Sequence, residues 1–454
     1  MPVSSSRTFA LWLLFAVNFI NFFDRQILAA VTEPIRLEWG LTDTQLGWLV
    51  TAFTLLYATM GLPLGRLADL WQRKFILAIG LAFWSVLTGL SGFCRHFWSR
   101  FAARLGVGVG EASCAPAASS LIGDLFPQSW RSRAMSVFML GLPVGVGASY
   151  LVGGAVAQHF GWRAVFYLAG APGLLLATGA LFLAEPLRGR SEAGNVGSAR
   201  RRENASKLVL GIPTMRWIIV SGMLHNFIMY GFTFFLVSFL VRHHGTTVET
   251  AGLASALVVA TAGALGMLSG GWLGDAAQKR RQNGRMLVAG MAVLAAVPVW
   301  FLALLLPRGS LLPFILIQGA AALPMYLYYP AVYATIHDLI EPSIRGRAMA
   351  IYFFAMYILG ASAGPVTTGW LSDYMARRAA LVAGVVSSPV PERFRAMGLY
   401  HAMFALPALA LVLAAVLFAG AATAAKDSDS LREWMLRFER GAREEIDIRM
   451  KTSD

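Results

Sequence analysis

The sequence predicts an all-α membrane protein with twelve transmembrane helices arranged as two pseudo-symmetric halves of six. Three observations carry that prediction. The first is composition: the chain has 454 residues, 57% hydrophobic and 14% charged, with a mean hydropathy of +0.60. Soluble domains hold about 25% charged and about 45–50% apolar residues. The second is a series of apolar runs, each matching the roughly 20 residues that cross a bilayer. The third is a polar signal that occurs twice. Gly65-Arg66-Leu67-Ala68-Asp69 with Arg73-Lys74 recurs as Gly271-Trp272-Leu273-Gly274-Asp275 with Lys279-Arg280, 206 positions later (271 − 65). Each copy lies between apolar runs, the pattern of a membrane protein made of two similar halves.

The runs place spans near residues 8–31, 45–68, 74–94, 97–122, 131–158 and 162–184, then 214–241, 250–274, 286–306, 311–338, 345–375 and 396–424. The first run, with its core from Leu11 to Phe23, has only Arg7 ahead of it and no small-residue cleavage site. It reads as a retained span, not a signal peptide. The halves then cover residues 1–184 and 214–424, joined by a linker over 185–213. That linker is polar and carries Arg188, Arg190, Arg200, Arg201 and Arg202. A second repeat supports the duplication. Asp124-Leu125 precedes Arg131-Ser132-Arg133-Ala134-Met135, and Asp338-Leu339 precedes Arg345-Gly346-Arg347-Ala348-Met349, an offset of 214 (338 − 124). Beyond the last span, residues 425–454 carry Leu431, Trp434, Met435 and Phe438 at helical spacing. This is the pattern of an amphipathic helix on the inner membrane surface.

The net charge of +14 does not indicate a nucleic-acid partner, because the basic residues sit in short inter-helix loops. That bias marks the cytoplasmic side. Loops holding Arg73-Lys74, Arg131 with Arg133, the linker, Lys279-Arg280-Arg281 and Arg345 with Arg347 alternate with poorer ones. Both termini are therefore expected in the cytoplasm, in a plasma (inner) membrane. The loop from Arg377 to Arg395 is basic yet falls on the outer side, and the sequence offers no reason. Asn204-Ala205-Ser206 matches a glycosylation sequon, but a cytoplasmic linker stays unmodified. Cys94 and Cys114 read as small packing residues, not a disulfide. There is no phosphate-binding loop with Lys-Ser/Thr and no His/Cys ligand spacing. The chain is thus expected to be no enzyme, to hold no cofactor or metal, and to work as a monomer in the lipid bilayer.

Charges inside a span cost roughly 2.5–3.5 kcal/mol each on insertion scales. Four lie away from span ends: Asp24, Arg25, Arg104 and Glu111, all in the first half. At 1.5 Å per residue, Asp24 and Arg25 lie roughly 7 Å outward of the midplane and Arg104 roughly 9 Å, with Glu111 near the middle. Arg104 and Glu111 are nearly two turns apart and share a face. An ion pair joining Asp24 or Glu111 to Arg25 or Arg104 is expected in at least one state. Such a cluster suits proton coupling or binding of a substrate headgroup. The bland alternative is a structural ion-pair network.

The repeated loops suit a gate. Gly65 and Gly271 would permit close backbone approach. Asp69 and Asp275 would cap helix starts in the opposite half, near Arg345 and Arg131 respectively. Arg73, with Lys74 beside it, would pair with Asp124, and Lys279 or Arg280 with Asp338. Gly141, Pro143, Gly145 and Gly147, and Gly360, Gly364 and Pro365, would allow tight packing or bending within spans. Asn18, Asn21, His225, Asn226, Tyr230, Tyr326, Tyr329 and Tyr357 are candidates to line a central cavity, with His225 the best titratable group of the second half.

The Gly-x-Leu-Ala-Asp-x-x-x-Arg-Lys signature resembles that of the major facilitator superfamily of secondary transporters. Asn21-Phe22-Phe23-Asp24-Arg25-Gln26, Gly40-Leu41-Thr42-Asp43-Thr44-Gln45-Leu46-Gly47, and Arg104 with Gly108, Gly110 and Glu111 resemble its spinster-type members. The Asp-Arg element also occurs in organic-anion symporters of the superfamily. The resemblance implies the major facilitator fold and alternating access. It also implies that Glu111, Arg104, Asp24 and Arg25 take part in coupling and headgroup contact. The first expectation is a proton-coupled transporter of a lysolipid- or sphingolipid-like amphiphile. A transporter of small organic anions such as sugar acids, and a non-transporting sensor, are the alternatives.

Overall fold

A computed structural model describes residues 5–186, 205–341 and 344–451. The linker arginines Arg188, Arg190, Arg200, Arg201 and Arg202 lie outside them, as do the side chains of Asp69, Trp434, Met435 and Phe438.

The described residues form helices and no strands. In the first half, α1 (Ser5–Ala30) is followed by the short α2 (Thr32–Trp39), then α3 (Asp43–Leu70) and α4 (Arg73–Leu90). The half is completed by α5 (Phe97–Glu111), α6 (Cys114–Leu125), α7 (Gln128–Phe160) and α8 (Trp162–Leu181). After α9 (Ala205–Gly211), the second half opens with α10 (Pro213–His244), α11 (Val248–Ala256) and α12 (Ala262–Arg280). It continues through α13 (Gly284–Leu304), α14 (Leu311–Leu339), α15 (Arg345–Ala355), α16 (Ala363–Val382), α17 (Glu392–Met403) and α18 (Ala405–Lys451).

Among the described residues, eleven stretches are long and apolar enough to cross a membrane. The twelfth expected span, 97–122, is instead divided into α5 and α6, of 15 and 12 residues. Its break at Ala112-Ser113 has a local cause. Pro116 has no N–H to return to Ala112, and Ser113 Oγ donates to the Gly110 carbonyl at 2.8 Å. Pro407 divides the last span in the same way, after Met403. The helix that follows does not stop at residue 424; it runs unbroken to Lys451.

Two spans of the second half contain π-helical turns. Leu257–Thr261 joins α11 to α12, and Met356–Ala361 lies between α15 and α16. Such turns widen the helix by one residue and often sit at functional sites.

The halves meet along two seams, α11 against α7 and α16 against α3. The main partners of α12 and α15, beyond the π turns, belong to their own half. At the α7–α11 seam the backbones touch. A Cβ on Gly252 would lie 2.4 Å from the Tyr150 carbonyl oxygen. The α3–α16 seam is polar. Asp373 accepts from the Asp43 and Thr44 N–H groups at 3.1 and 2.9 Å. Ser372 Oγ donates to Asp43 at 2.6 Å.

All these contacts lie on the face opposite the repeated motif. So do the ion pairs that described residues make between the halves: Arg36–Glu392, Arg242–Glu33, Arg242–Asp43 and His159–Glu249. The basic loop that the sequence left unexplained lies here too. Arg395 reaches across to donate to the Leu41 carbonyl at 3.0 Å. At Arg395 the positive charge closes a polar seam.

Candidate transport site

Between the halves lies a cavity of about 480 Å³. Its apolar wall includes Phe22, Met139, Leu142, Pro143, Val146, Met229, Val259, Met267, Pro330 and Met356. Its polar groups are Arg25, Gln26, Asn226, Thr233 and the phenols of Tyr230, Tyr326, Tyr329, Tyr333 and Tyr357. Among the described residues, Arg25 is the one charged residue on that wall. A pocket of this size with few convergent polar groups is typical of a small-molecule site.

Of the candidate lining residues, Asn226, Tyr230, Tyr326, Tyr329 and Tyr357 stand on the cavity wall. Three other candidates do not. Asn18 turns away, its Nδ2 donating to the Phe138 carbonyl at 2.8 Å. Asn21 Oδ1 accepts from Arg25 at 3.4 Å. His225 Nε2 donates to the Met325 carbonyl at 2.9 Å, with the ring stacked on Tyr328. That bond places the proton on Nε2 and makes His225 a packing residue in this state. Gln26 and Tyr333 line the cavity and were not foreseen. Each follows a recognised position by the spacing of a helix turn or less, and that spacing was the available clue.

The four buried charges do gather behind the cavity. Arg25 donates to Glu111 Oε2 through Nε and Nη2, both at 3.4 Å. That is long for a charge-assisted bond, which runs near 2.7–2.9 Å. Aromatic rings fill the remaining space: the Arg25 guanidinium lies 4.1 Å from the Tyr57 ring centre and 4.9 Å from that of Phe22. Arg104 does not pair with Glu111 despite sharing its helix face. Its guanidinium sits 4.5 Å from the centre of the Phe53 ring. Asp24 is 1% exposed, and neither carboxylate oxygen has a hydrogen-bond partner. A second cavity of about 10 Å³ separates Arg25 from Arg104, room for about one water.

At the motif face, Arg73 is buried and bonds Asp124, as the repeat suggested. It also bonds Glu185 at 2.8 Å and the Pro186 carbonyl at 2.9 Å. Lys74 contributes its backbone N–H to Glu185 at 3.0 Å. In the second half the partner of Asp338 is Arg285, not Lys279 or Arg280. The reason is geometric. The helix α12 runs through Arg280, so its last-turn cations stay on its own surface. Arg285 stands at the start of the next helix, the place that Arg73 holds in the first half.

Arg285 also takes Asp275 at 2.6 Å, so Asp275 pairs within its own half and does not reach the helix of Arg131. Arg345 Nε donates to the Ile340 carbonyl at 3.2 Å. The proposed cap of that helix by Asp69 lies outside the described side chains. Gly65 and Gly271 face open space, with no atom within 4 Å of an added Cβ. The expected close approach at these glycines is absent because the halves are parted on this face.

The model of the Major Facilitator Superfamily matches residues 14–365. Protein spinster homolog 3 of Danio rerio is 28% identical over 397 residues, covering 83% of this chain and 79% of that protein. A probable L-galactonate transporter of Escherichia coli (strain K12) is also 28% identical, covering 84% and 87%. A crystal structure described as a bacterial homolog to the human lysosomal transporter spinster, inward-facing and unoccupied, superposes with a TM-score of 0.86. It is 27% identical, with 94% of this chain and 99% of that one covered.

Proposed function

We propose that this chain, which belongs to the Major Facilitator Superfamily and is a multi-pass transporter of the spinster type, couples proton movement to transport of a lysolipid- or sphingolipid-like amphiphile. The observation that carries the reading is the placement of one cation on an apolar wall. Arg25 meets an anionic headgroup, and the tail lies along Met139, Leu142, Val146, Met267 and Met356. Glu111, bonded to Arg25 from behind, is the proton carrier. Headgroup and carboxylate compete for one guanidinium, so binding of the anion and binding of the proton favour each other.

In this reading the motif face is cytoplasmic and the molecule is inward-facing, with both termini in the cytoplasm of the plasma membrane. Residues 1–184 and 214–424 act as the two moving bodies. The 185–213 linker joins them, and the last helix continues beyond residue 424 on the inner side. The apolar stretch of Met139, Leu142, Val146, Met267 and Met356 favours an amphiphile over a small sugar acid, although Gln26, Asn226 and Thr233 add polar groups to Arg25 and the phenols. The likeness to a probable L-galactonate transporter keeps that class in the test.

Liposomes containing the purified protein supply the test. Uptake of labelled lysolipid is expected to rise with a pH gradient, and Glu111→Gln is expected to abolish that response while leaving binding. The proposal fails if only sugar acids move, or if the Glu111→Gln variant follows the gradient as the parent does.

A further inference from the structure

The face opposite the repeated motif carries a buried charge assembly that bridges the halves. Arg242, in the last turn of α10, places its guanidinium on Asp43 in bidentate fashion, at 2.8 Å for both bonds. Its Nε donates to Glu33 at 2.8 Å. Both acids belong to the first half. Arg36, beside Glu33, reaches the other way to Glu392 at 2.6 Å. The Arg242 side chain is 4% exposed, and those of Glu33 and Asp43 are 3% and 4%. We infer that Arg242, with Asp43 and Asp373, forms the outer gate of the transporter, a lock that opens and re-forms in each cycle. The inference rests on alternating access, not on any substrate.

When the halves part, Asp43 loses Arg242 and Ser372, both of the second half, but it stands in the first turn of α3, where a carboxylate is favoured and water is near. The other partners keep local support. Glu33 keeps Arg36, which bonds it at 2.6 and 3.0 Å within the same short helix. The start of α3 is capped twice. Asp373 caps it from the second half, and Thr42 with Gln45 forms a capping box inside the first half. Losing Asp373 therefore costs one cap of two. Among the described residues, Arg242 is bonded only to acids of the opposite half. Freed, it stands at a helix C-terminus, where a cation is favoured and water is near. The first half thus tolerates separation, and Arg242 carries the buried part of the lock, with Arg36–Glu392 a second bridge whose acid is 60% exposed.

The lock is also one-sided. Across the other seam the only ion pair among described residues is His159–Glu249, with side chains 61% and 47% exposed. Exposed pairs contribute little. Backbone contact at Gly252 seals that side instead. Opening then begins at the α7–α11 seam and is completed when Arg242 leaves Asp43.

The test measures distance across the outer face. Spin labels go on Leu37→Cys and Val386→Cys, exposed positions on opposite halves, with Cys94 and Cys114 replaced by Ala. The parent is expected to show one short distance in lipid nanodiscs. Arg242→Gln is expected to raise the long-distance population at least roughly tenfold, since breaking a buried, hydrogen-bonded pair is costly. Asp373→Asn, a milder change, should shift it in the same direction by less. If Arg242→Gln does not fold, Asp373→Asn decides. Unchanged distributions in folded variants overturn the gate. Shifted distances without movement of any lysolipid leave the gate standing and sink the substrate proposal.

Discussion

Replacing Gly252 by Ala should push the protein out of its present state without touching a charge. An added Cβ would sit 2.4 Å from the Tyr150 carbonyl oxygen and 3.1 Å from the Gly154 Cα. Both obstacles are backbone, so no rotamer change relieves them. Restoring ordinary contact of at least 3.4 Å requires α7 and α11 to part by about 1 Å. Tyr150 resists, because its hydroxyl donates to the Thr233 carbonyl of the second half at 2.7 Å. Overpacking of this kind costs about 1–3 kcal/mol. That cost exists only while the seam is shut, so it biases the equilibrium about 5- to 150-fold toward the outward-open state. The Leu37–Val386 label pair reports the shift, and Gly271→Ala, which meets nothing within 4 Å, serves as the control. A Gly252→Ala distribution that matches the parent would refute the claim that bare backbone seals this seam.

Other expectations follow from burial. Arg73→Ala strips a 1% exposed guanidinium from two carboxylates and should lower unfolding stability by roughly 2–4 kcal/mol. Arg285→Ala removes the equivalent group from acids that are 64% and 39% exposed, for less than about 1 kcal/mol. Equal losses of thermal midpoint in detergent would contradict this contrast. The Arg163 guanidinium, bonding Glu38 at 2.6 and 2.8 Å, holds that carboxyl down to about 2 from an ordinary 4.5. A depressed acid stabilises the fold above its unfolded value, and the contribution fades as pH falls from 4.5 toward 2. Because the pair is exposed, Glu38→Gln should flatten the acid limb of the stability profile only slightly. A change confined to neutral pH would exclude this origin.

The four mid-span charges were legible because their cost inside a membrane makes them rare. Their grouping followed from helix rise alone. Which of them pair did not follow: Arg104 and Glu111 share a face, yet aromatic rings hold Arg104 away. The contacts at the motif face were half legible. The Arg73–Asp124 bond came from the repeat, but Arg285 escaped it, because α12 is long enough to shift the equivalent cation ten positions beyond Asp275 (285 − 275). Gln318 and Trp300 are buried with unpartnered polar atoms, and nothing in the described residues explains them.

By itself the sequence determined the fold, the duplication and the buried acid and base groups, since each is written in local hydropathy, in spacing or in the high cost of a misplaced charge. The tertiary structure alone decided which faces of the halves meet and which side chains bridge them. Glu33, Arg36, Asp43, Arg242, Asp373 and Glu392 sit at span ends, where charge costs almost nothing and raises no alarm. Their partners lie as far as 356 positions away, so only the meeting of two halves could join them.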